Sequence, residues 1–244
     1  MAERQLRDQT AIVTGSAKRV GQAIALALAE AGANVVVNYY RSEAEAEETV
    51  RELEQKGVGA VAVCADVSQA AEAKKLIETA QKTFGRVDIL VNNAGVFART
   101  RLEETTAEQW DWFMAVNLRA QFLCAQAVAP IMRSQGRGKI VNLASLGGLL
   151  AWPGFIAYCV SKAGVIHLTR CLARALGPEI QVNCICPGTI RFPGEEPDEN
   201  YIRRAALHRM GLAEDIARTV LFLVTQAEFI TGQALVVDGG YALA

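Results

Sequence analysis

Short apolar runs alternate with longer segments of helical periodicity along almost the whole chain. The apolar runs, rich in Val and Ile, predict strands at Ala11–Thr14, Asn34–Asn38, Ala60–Cys64, Ile89–Asn92, Lys139–Leu143, Gln181–Ile185 and Ala234–Val237. The periodic segments predict helices at Val20–Ala31, Glu43–Lys56, Gln69–Phe84, Ala107–Arg133, Ala157–Ala175 and Ala213–Leu223. Alternation of strand and helix at this spacing predicts parallel strands joined by right-handed crossovers.

The predicted strands do not alternate between polar and apolar positions. Val35, Val36 and Val37 are consecutive in the second strand, as expected for a strand that is buried on both faces. We therefore predict an α/β fold in which residues 1–244 form a single domain, a doubly wound, Rossmann-type parallel sheet of about seven strands. Sheets of this kind bind ligands at the carboxyl ends of their strands.

Composition narrows the class of protein. Hydrophobic residues make up 51% of the 244 residues and charged residues 21%, and the formal net charge of -1 argues against a nucleic-acid or anionic-membrane partner. No apolar run reaches the length of a membrane span, and Met1–Asp8 lacks an apolar signal region, so we expect a cytoplasmic protein. Six scattered cysteines predict buried free thiols in a reducing compartment, and no metal site.

A glycine-containing turn, Thr14–Gly21, connects the first predicted strand to the first predicted helix. Free backbone N–H groups and the positive end of a helix dipole favour the pyrophosphate of a dinucleotide at such a turn. Gly15 and Gly21 bound the turn, and Arg19 occupies the place where a middle glycine is often found. A tight turn with glycines needed only for packing is the alternative.

The residues after the second strand predict which dinucleotide binds. A carboxylate here would bond the ribose 2′-hydroxyl of NAD(H), but none occurs before Glu43. Arg41 and Ser42, with Lys18 from the glycine loop, suit a 2′-phosphate instead. NADP(H) is therefore the predicted cofactor, with NAD(H) as the alternative if Arg41 is only a solvated residue at a helix start.

Tyr158 and Lys162 are four residues apart on a predicted helix and so face the same way. A nearby ammonium lowers the pKa of a phenol, which could then exchange a proton with a carbonyl oxygen. Ser145 follows a predicted strand and could bond the same oxygen, while Asn117, in mid-helix, needs a partner for its amide. The alternative for the pair alone is an amphipathic helix with a snorkelling lysine.

Taken together, these motifs resemble the short-chain dehydrogenase/reductase family over essentially the whole chain. The matching segments are Thr14–Gly21, Asp66, Asn92–Gly95, Asn117, Ser145, Tyr158, Lys162 and Pro187-Gly188. The resemblance implies that Tyr158 is the acid–base, that Lys162 binds the nicotinamide ribose and lowers the tyrosine pKa, and that Ser145 orients the carbonyl. It further implies that Asn117 holds a water in a proton relay, and that the protein is a homotetramer.

The resemblance also implies where the cofactor lies: Asp66 and Val67 at the adenine, Asn93 and Gly95 along the cofactor, and Pro187 to Ile190 beside the nicotinamide. The full set of expected cofactor residues is Gly15, Ser16, Lys18, Arg19, Val20, Gly21, Tyr40, Arg41, Ser42, Asp66, Val67, Asn93, Ala94, Gly95, Tyr158, Lys162, Pro187, Gly188 and Ile190.

The substrate is less well defined by the sequence. The general course of the chain, including Phe229–Gln233 and Val237–Gly240, is similar to that of bacterial 3-oxoacyl-(acyl-carrier-protein) reductases. Lys18-Arg19, Tyr40–Ser42 and Phe97 resemble pteridine reductases, although those enzymes commonly carry Asp where this chain has Ser145.

We therefore expect reduction of a 3-oxoacyl thioester, with acyl carrier protein as a candidate partner, ahead of a pterin or another small carbonyl. A non-catalytic NADP-binding scaffold is the alternative of another class, and the complete set of Ser145, Tyr158 and Lys162 argues against it. The expected substrate residues are Phe97, Ser145 and Tyr158, with a substrate loop at about residues 189–210 that includes the acidic, proline-containing segment Phe192–Asn200.

Overall fold

A computed structural model describes residues 5–243 and shows one parallel sheet in the order β3-β2-β1-β4-β5-β6-β7. The strands are β1 (Thr10–Val13), β2 (Asn34–Tyr39), β3 (Ala60–Cys64), β4 (Ile89–Asn92), β5 (Gly138–Leu143), β6 (Ile180–Pro187) and β7 (Ala234–Val237). All seven were predicted, and the predicted single-sheet α/β fold is confirmed. The strand order reverses between β2-β1 and β1-β4, which opens a crevice at the carboxyl ends of these strands.

The helices flank the sheet on both faces. They are α1 (Arg19–Glu30), α2 (Glu43–Gln55), α3 (Ala70–Phe84), α4 (Ala107–Met114), α5 (Ala120–Ser134), α6 (Ile156–Leu176), α7 (Glu199–Arg204) and α8 (Ala213–Thr225). The prediction of one regular helix over Ala107–Arg133 was wrong, because a π-helical turn at Ala115–Arg119 separates α4 from α5. The Ala120 N–H bonds the Ala115 carbonyl, five residues back, so one extra residue is accommodated in the turn.

Two apolar cores lie on opposite faces of the sheet. Val35 and Val37 belong to the core formed with α1 and α8, whereas Val36 belongs to the core formed with α3 and α5. All three side chains are fully buried. The continuous apolar run in β2 is therefore explained by packing on both faces of the strand.

The segment between β6 and α8 was predicted to contain a surface loop at Phe192–Asn200. Its last two residues are helical instead, because Asp198 caps α7 by accepting a hydrogen bond from the Tyr201 N–H at 3.0 Å. A parallel bridge between Ile190 and Gly211 brings the two ends of the segment together. The expected substrate loop thus combines an irregular acidic stretch with a short helix.

The prediction of buried thiols holds for only part of the cysteine set. Cys124, Cys184 and Cys186 are buried, but Cys64 and Cys171 are exposed on the surface. Within residues 5–243, no helix is long and apolar enough to cross a membrane. The same residues contain no group of three or more His, Cys, Asp or Glu side chains placed to hold a metal ion.

Candidate active site

The glycine loop after β1 is clamped to its neighbours by side-chain amides. The Asn93 amide donates to the carbonyl oxygens of Thr14 and Gly15 at 2.9 and 3.0 Å. The Asn38 amide oxygen accepts from the Gly15 N–H at 3.1 Å. Gly15 has a φ of +62° and packs against Ala94, so the turn needs a residue without a side chain there. The loop is therefore fixed by residues from the ends of β2 and β4.

The start of α1 is open toward the cleft in front of the loop. Lys18 is the N-cap residue and its side chain makes no capping hydrogen bond, so the first N–H groups of α1 receive no bond from it. Arg19 follows with a φ of +58°, the left-handed conformation that a glycine would adopt without strain. An uncapped helix start beside a close-packed glycine turn fits a pyrophosphate.

A cleft of about 700 Å³ extends from this loop along the carboxyl ends of β1, β2 and β4. The predicted residues that line it are Gly15, Lys18, Arg19, Val20, Gly21, Tyr40, Arg41, Asp66, Val67, Asn93, Ala94 and Gly95. Sequence reasoning missed several other lining residues, among them Ser68, Gln69, Trp112 and Val116, and it predicted Phe192 only as part of the substrate loop. The cleft therefore joins most of the predicted dinucleotide residues in one continuous site.

Seven predicted cofactor residues do not line this cleft. Ser16 is buried with its hydroxyl bonded to the Val13 carbonyl at 2.7 Å, and Ser42 begins α2 without a capping bond. Pro187, Gly188 and Ile190 lie at or beyond the end of β6, and Tyr158 and Lys162 lie on α6. The Ser16 side chain secures the turn, and its contact with the cofactor stays a prediction.

Arg41 lines the part of the cleft where an adenosine 2′-phosphate would bind, and among the described residues it has no carboxylate partner. The Arg41 guanidinium lies 5.2 Å from the centre of the Tyr40 ring, and within the described chain it has no salt-bridge partner. Lys18 instead pairs with Glu45 of α2 at 3.0 Å, and both side chains are about half exposed. Because ion pairs this exposed contribute little, Lys18 remains a predicted cofactor residue.

Ser145 and Tyr158 come together through local backbone structure. Ser145 follows β5 and begins a 3₁₀ turn, Leu146–Gly148, where its hydroxyl accepts from the Gly147 N–H at 3.0 Å. Tyr158 lies in the first turn of α6, and the Ser145 hydroxyl is close enough to its phenol to lower the phenol pKa. The two hydroxyl groups can therefore reach one substrate oxygen.

Lys162 is almost fully buried one helical turn beyond Tyr158. Its ammonium donates to the Leu143 carbonyl at 2.8 Å and lies 6.0 Å from the centre of the Tyr158 ring. Burial lowers the pKa of Lys162 to about 8, although the neighbouring thiols of Cys184 and Cys186 act in the opposite direction. The lysine thus carries its charge at neutral pH and loses it under mildly alkaline conditions.

The phenol of Tyr158 differs from the expectation drawn from the family resemblance. Burial raises its pKa to about 12, and the Ser145 hydroxyl opposes that effect only partly. The Lys162 ammonium donates to the Leu143 carbonyl rather than to the phenol. Tyr158 is consequently protonated at neutral pH, as a proton donor must be.

Asn117 lies in the π-helical turn and is completely buried. Its amide oxygen accepts from the Val96 N–H at 2.8 Å, and its amide nitrogen donates to the Val96 carbonyl at 3.1 Å and to the Ser161 hydroxyl at 3.0 Å. The prediction that this amide requires partners in mid-helix is confirmed. Its hydrogen bonds fix the chain after β4 against α6, next to Lys162.

Comparisons with known proteins agree with this geometry. Residues 15–242 match a family profile described as enoyl-(acyl carrier protein) reductase. The chain is 40% identical to the 3-oxoacyl-(acyl-carrier-protein) reductase FabG of Staphylococcus epidermidis RP62A, over 96% of this chain and 98% of that one. It is also 40% identical to the 3-oxoacyl-(acyl-carrier-protein) reductase of Synechocystis PCC 6803, over 98% of both chains. The chain belongs to the short-chain dehydrogenase/reductase family.

A solved structure supports the same assignment. A Sinorhizobium meliloti 1021 protein, provisionally described as a short-chain alcohol dehydrogenase, superposes with a TM-score of 0.93 over 99% of both chains at 35% identity. This short-chain dehydrogenase/reductase is therefore an oxidoreductase of carbonyl or alcohol groups that uses a nicotinamide cofactor.

In this short-chain dehydrogenase/reductase, aromatic rings surround Tyr158. Phe97 stacks on Phe155 with 4.7 Å between ring centres, and its edge meets Tyr158 at 4.8 Å. Trp152 lies parallel to Tyr158 at 6.3 Å. Phe97 was predicted at the substrate, but Trp152 and Phe155 were not, and apolar type alone did not mark them in the sequence.

The glycine loop also contacts the expected substrate loop. The Arg19 guanidinium pairs with Glu195 at 3.2 Å and lies 4.7 Å from the centre of the Phe192 ring. Phe192 in turn lines the cofactor cleft. Arg19 thus connects the two loops across the entrance to the cleft, whereas the sequence predicted it only as a cofactor or pterin contact.

Proposed function

We propose that the protein reduces a 3-oxoacyl thioester to the 3-hydroxyacyl thioester with NADPH. The observation that carries this proposal is that Ser145, Tyr158 and Lys162 lie together beside a dinucleotide-sized cleft, with the Lys162 ammonium 6.0 Å from the centre of the Tyr158 ring. The names of the curated relatives support the choice of a 3-oxoacyl substrate.

The proposed mechanism uses each of these groups once. The Ser145 and Tyr158 hydroxyls hold the ketone oxygen by hydrogen bonds, and NADPH, when bound, supplies the hydride that the carbonyl carbon accepts. Tyr158 gives its proton to the oxygen as negative charge develops there. The Lys162 ammonium then stabilises the phenolate, and Asn117 keeps the Gly95–Val96 segment in place against α6.

The cofactor residues fit the proposed NADPH. Gly21 forms a cradle, because a Cβ there would lie 2.6 Å from the Asn93 amide nitrogen and closer still to the Gly15 carbonyl oxygen. Arg41 is the group proposed to bind the 2′-phosphate. At the other end, Pro187, Gly188 and Ile190 are proposed to flank the nicotinamide.

The family profile and the curated relatives name different reactions, one at a carbon–carbon double bond and one at a ketone. Two hydroxyl donors that can meet at one oxygen favour the ketone. The test is NADPH oxidation with acetoacetyl, crotonyl and dihydrobiopterin substrates, the first two as thioesters. Turnover of the acetoacetyl thioester alone supports the proposal, whereas turnover of crotonyl thioester or dihydrobiopterin alone would replace it.

Arg41→Ala tests the cofactor preference. Removing the guanidinium deletes a charge-assisted hydrogen bond to the 2′-phosphate, and such bonds contribute about 1.5–3 kcal/mol. We expect KM for NADPH to rise by about tenfold to a hundredfold, with KM for NADH nearly unchanged. Steady-state kinetics with both cofactors measure this. Equal increases for the two cofactors would show that Arg41 does not discriminate between them.

The pKa of Lys162 predicts a pH profile. Its pKa is lowered to about 8 by burial, so kcat/KM for NADPH at saturating ketone should be flat at lower pH and fall as the pH rises through about 8. Tyr158 does not contribute to this fall, because its pKa is raised to about 12. Circular dichroism over the same range checks that the fold persists. A profile that stays flat to pH 10 would contradict the assignment to Lys162.

We further propose a cytoplasmic homotetramer that accepts its thioester from acyl carrier protein. Several large apolar side chains are exposed on the helices next to the site and near the C-terminus, which supports subunit contacts there. They include Trp112, Phe122, Val160 and Leu243.

A further inference from the structure

The ring of Phe97 is exposed although it stands beside the proton donor. One face stacks on Phe155 and one edge meets Tyr158, yet 61% of the residue remains accessible. Covering a large apolar ring removes its area from water, so a molecule that packs on Phe97 gains binding free energy. The substrate, which must reach the Tyr158 hydroxyl, is the molecule that passes this ring.

Four rings form two parallel pairs at nearly right angles. Phe97 and Phe155 are parallel within 6°, as are Trp152 and Tyr158, and the angles between the pairs are 78° and 76°. We call Phe97, Trp152 and Phe155 the aromatic wall. The wall therefore places rings in both stacked and edge-to-face contact around Tyr158, and these are the two arrangements in which a further aromatic ring prefers to meet others.

Backbone hydrogen bonds hold the wall in place. The Thr100 N–H donates to the Gly154 carbonyl at 2.8 Å, and the N–H groups of Ile156 and Ala157 donate back to the Thr100 carbonyl and hydroxyl at 3.2 and 3.1 Å. At its other end, the Phe97 segment is held by the two Asn117 bonds to Val96. The rings are therefore preorganised, which favours a rigid flat group over a flexible chain.

The wall brings no charged side chain to the reacting oxygen. Its three members are all aromatic, and the polar groups that meet them are the hydroxyls of Tyr158 and, through Tyr158, of Ser145. An aliphatic acyl chain would gain only the burial of its area against such rings. A planar ring would gain the same burial and, in addition, favourable stacking or edge-to-face contacts.

From this arrangement we infer a further activity, the reduction of aryl ketones, in which a flat ring is attached directly to the carbonyl carbon. The inference rests on the proposed ketone reduction at Tyr158. In this step the carbonyl carbon accepts a hydride from NADPH as its π bond to oxygen breaks, and the oxygen takes the Tyr158 proton. The products are a secondary benzylic alcohol and NADP⁺.

A matched pair of 3-oxo esters tests the inference. Ethyl benzoylacetate carries a phenyl ring on the reacting carbonyl, and ethyl 3-oxohexanoate carries a propyl chain there. We expect Phe97→Leu and Trp152→Leu each to lower kcat/KM for the phenyl ester by about threefold to tenfold relative to the propyl ester. The ratio of the two values is compared between variant and wild type, so the intrinsic reactivity of each ester cancels.

Phe229→Leu is the matched control. Phe229 is fully exposed and follows Glu228, which pairs with Lys139. Lys139 lies at the start of β5, whereas Ser145 lies beyond the end of the same strand, so Phe229 is remote from the site. This variant should keep the wild-type ratio. A readout other than turnover is the dissociation constant of each product alcohol, measured by calorimetry with NADPH present. In the Phe97→Leu and Trp152→Leu variants, only the phenyl-bearing alcohol should bind more weakly than it does to the wild type.

The outcomes separate this inference from the proposed function. If the wild type reduces neither ester nor acetoacetyl thioester, the ketone reductase proposal fails and the inference fails with it. If both esters are reduced but Phe97→Leu and Trp152→Leu keep the wild-type ratio, only the aryl preference is overturned. Equal losses for both esters would likewise overturn it, because they would show that the wall merely supports Tyr158.

Discussion

Tyr158→Phe is expected to lower kcat for ketone reduction by on the order of 10²–10⁴, the contribution that a positioned proton donor makes. The variant keeps the ring, and with it the contacts to Phe97 and Trp152, but removes the hydroxyl that would protonate the substrate oxygen. Ser145 retains its bond from the Gly147 N–H, so it is not left without a partner. Stopped-flow or steady-state oxidation of NADPH with acetoacetyl thioester measures the effect.

A tyrosine elsewhere in the chain provides the control. The Tyr241 hydroxyl accepts a hydrogen bond from Arg204 at 3.0 Å near the C-terminus, so Tyr241→Phe also removes a bonded phenol but leaves α6 untouched. It should preserve kcat. The NADPH dissociation constant of Tyr158→Phe should remain close to that of the wild type. Activity that survives in Tyr158→Phe would refute the mechanism, whatever the substrate.

The pair Tyr158 and Lys162 shows both the strength and the limit of sequence reasoning. The four-residue spacing of Tyr158 and Lys162 is a local property of a helix, and the structure places both residues on α6 as predicted. Their pKa values depend on burial and on groups of other elements, such as Ser145 for the tyrosine and Cys186 for the lysine. The sequence suggested a lowered tyrosine pKa because it shows which charges are near in sequence but not how deeply the groups are buried.

The sheet was predictable for a similar reason. Continuous apolar runs such as Val35–Val37 fit a strand buried on both faces, and this property does not depend on which helices cover them. The π-helical turn was not predictable, because it accompanies the bonds of Asn117 to Val96 and Ser161, residues of other elements. Phe155 was missed likewise, since only the bridge to Thr100 brings it near Phe97.

Arg19 illustrates how one position can be identified correctly and interpreted incompletely. The sequence showed that an arginine replaces the usual middle glycine, and the structure gives it the left-handed φ that a glycine would have. Its partners, Glu195 and Phe192, lie on a loop whose conformation no local pattern determines. The sequence therefore located the residue at the cleft but could not reveal its contact with the substrate loop.

Gly21→Ala is expected to weaken NADPH binding strongly, because Gly21 is closely surrounded by other atoms. A Cβ at this position would lie 2.8 Å from the Ser16 Cα and 2.6 Å from the Asn93 amide nitrogen, and it would meet the Gly15 carbonyl oxygen at a still shorter distance. Two of these neighbours are backbone atoms of the glycine loop. That loop cannot yield without moving the N–H groups that we propose bind the pyrophosphate, so Gly21→Ala is expected to distort this turn.

Overpacking of this kind costs about 1–3 kcal/mol. If the cost falls on the bound conformation of the loop, the NADPH dissociation constant of Gly21→Ala should rise by about tenfold to a hundredfold. Fluorescence titration with NADPH measures it. Gly154→Ala is the matched control, because a Cβ there meets no atom within 4 Å, and its NADPH affinity should be unchanged. Wild-type affinity in Gly21→Ala would mean that the pyrophosphate does not depend on this turn, and the dinucleotide assignment of the cleft would then lose its geometric basis.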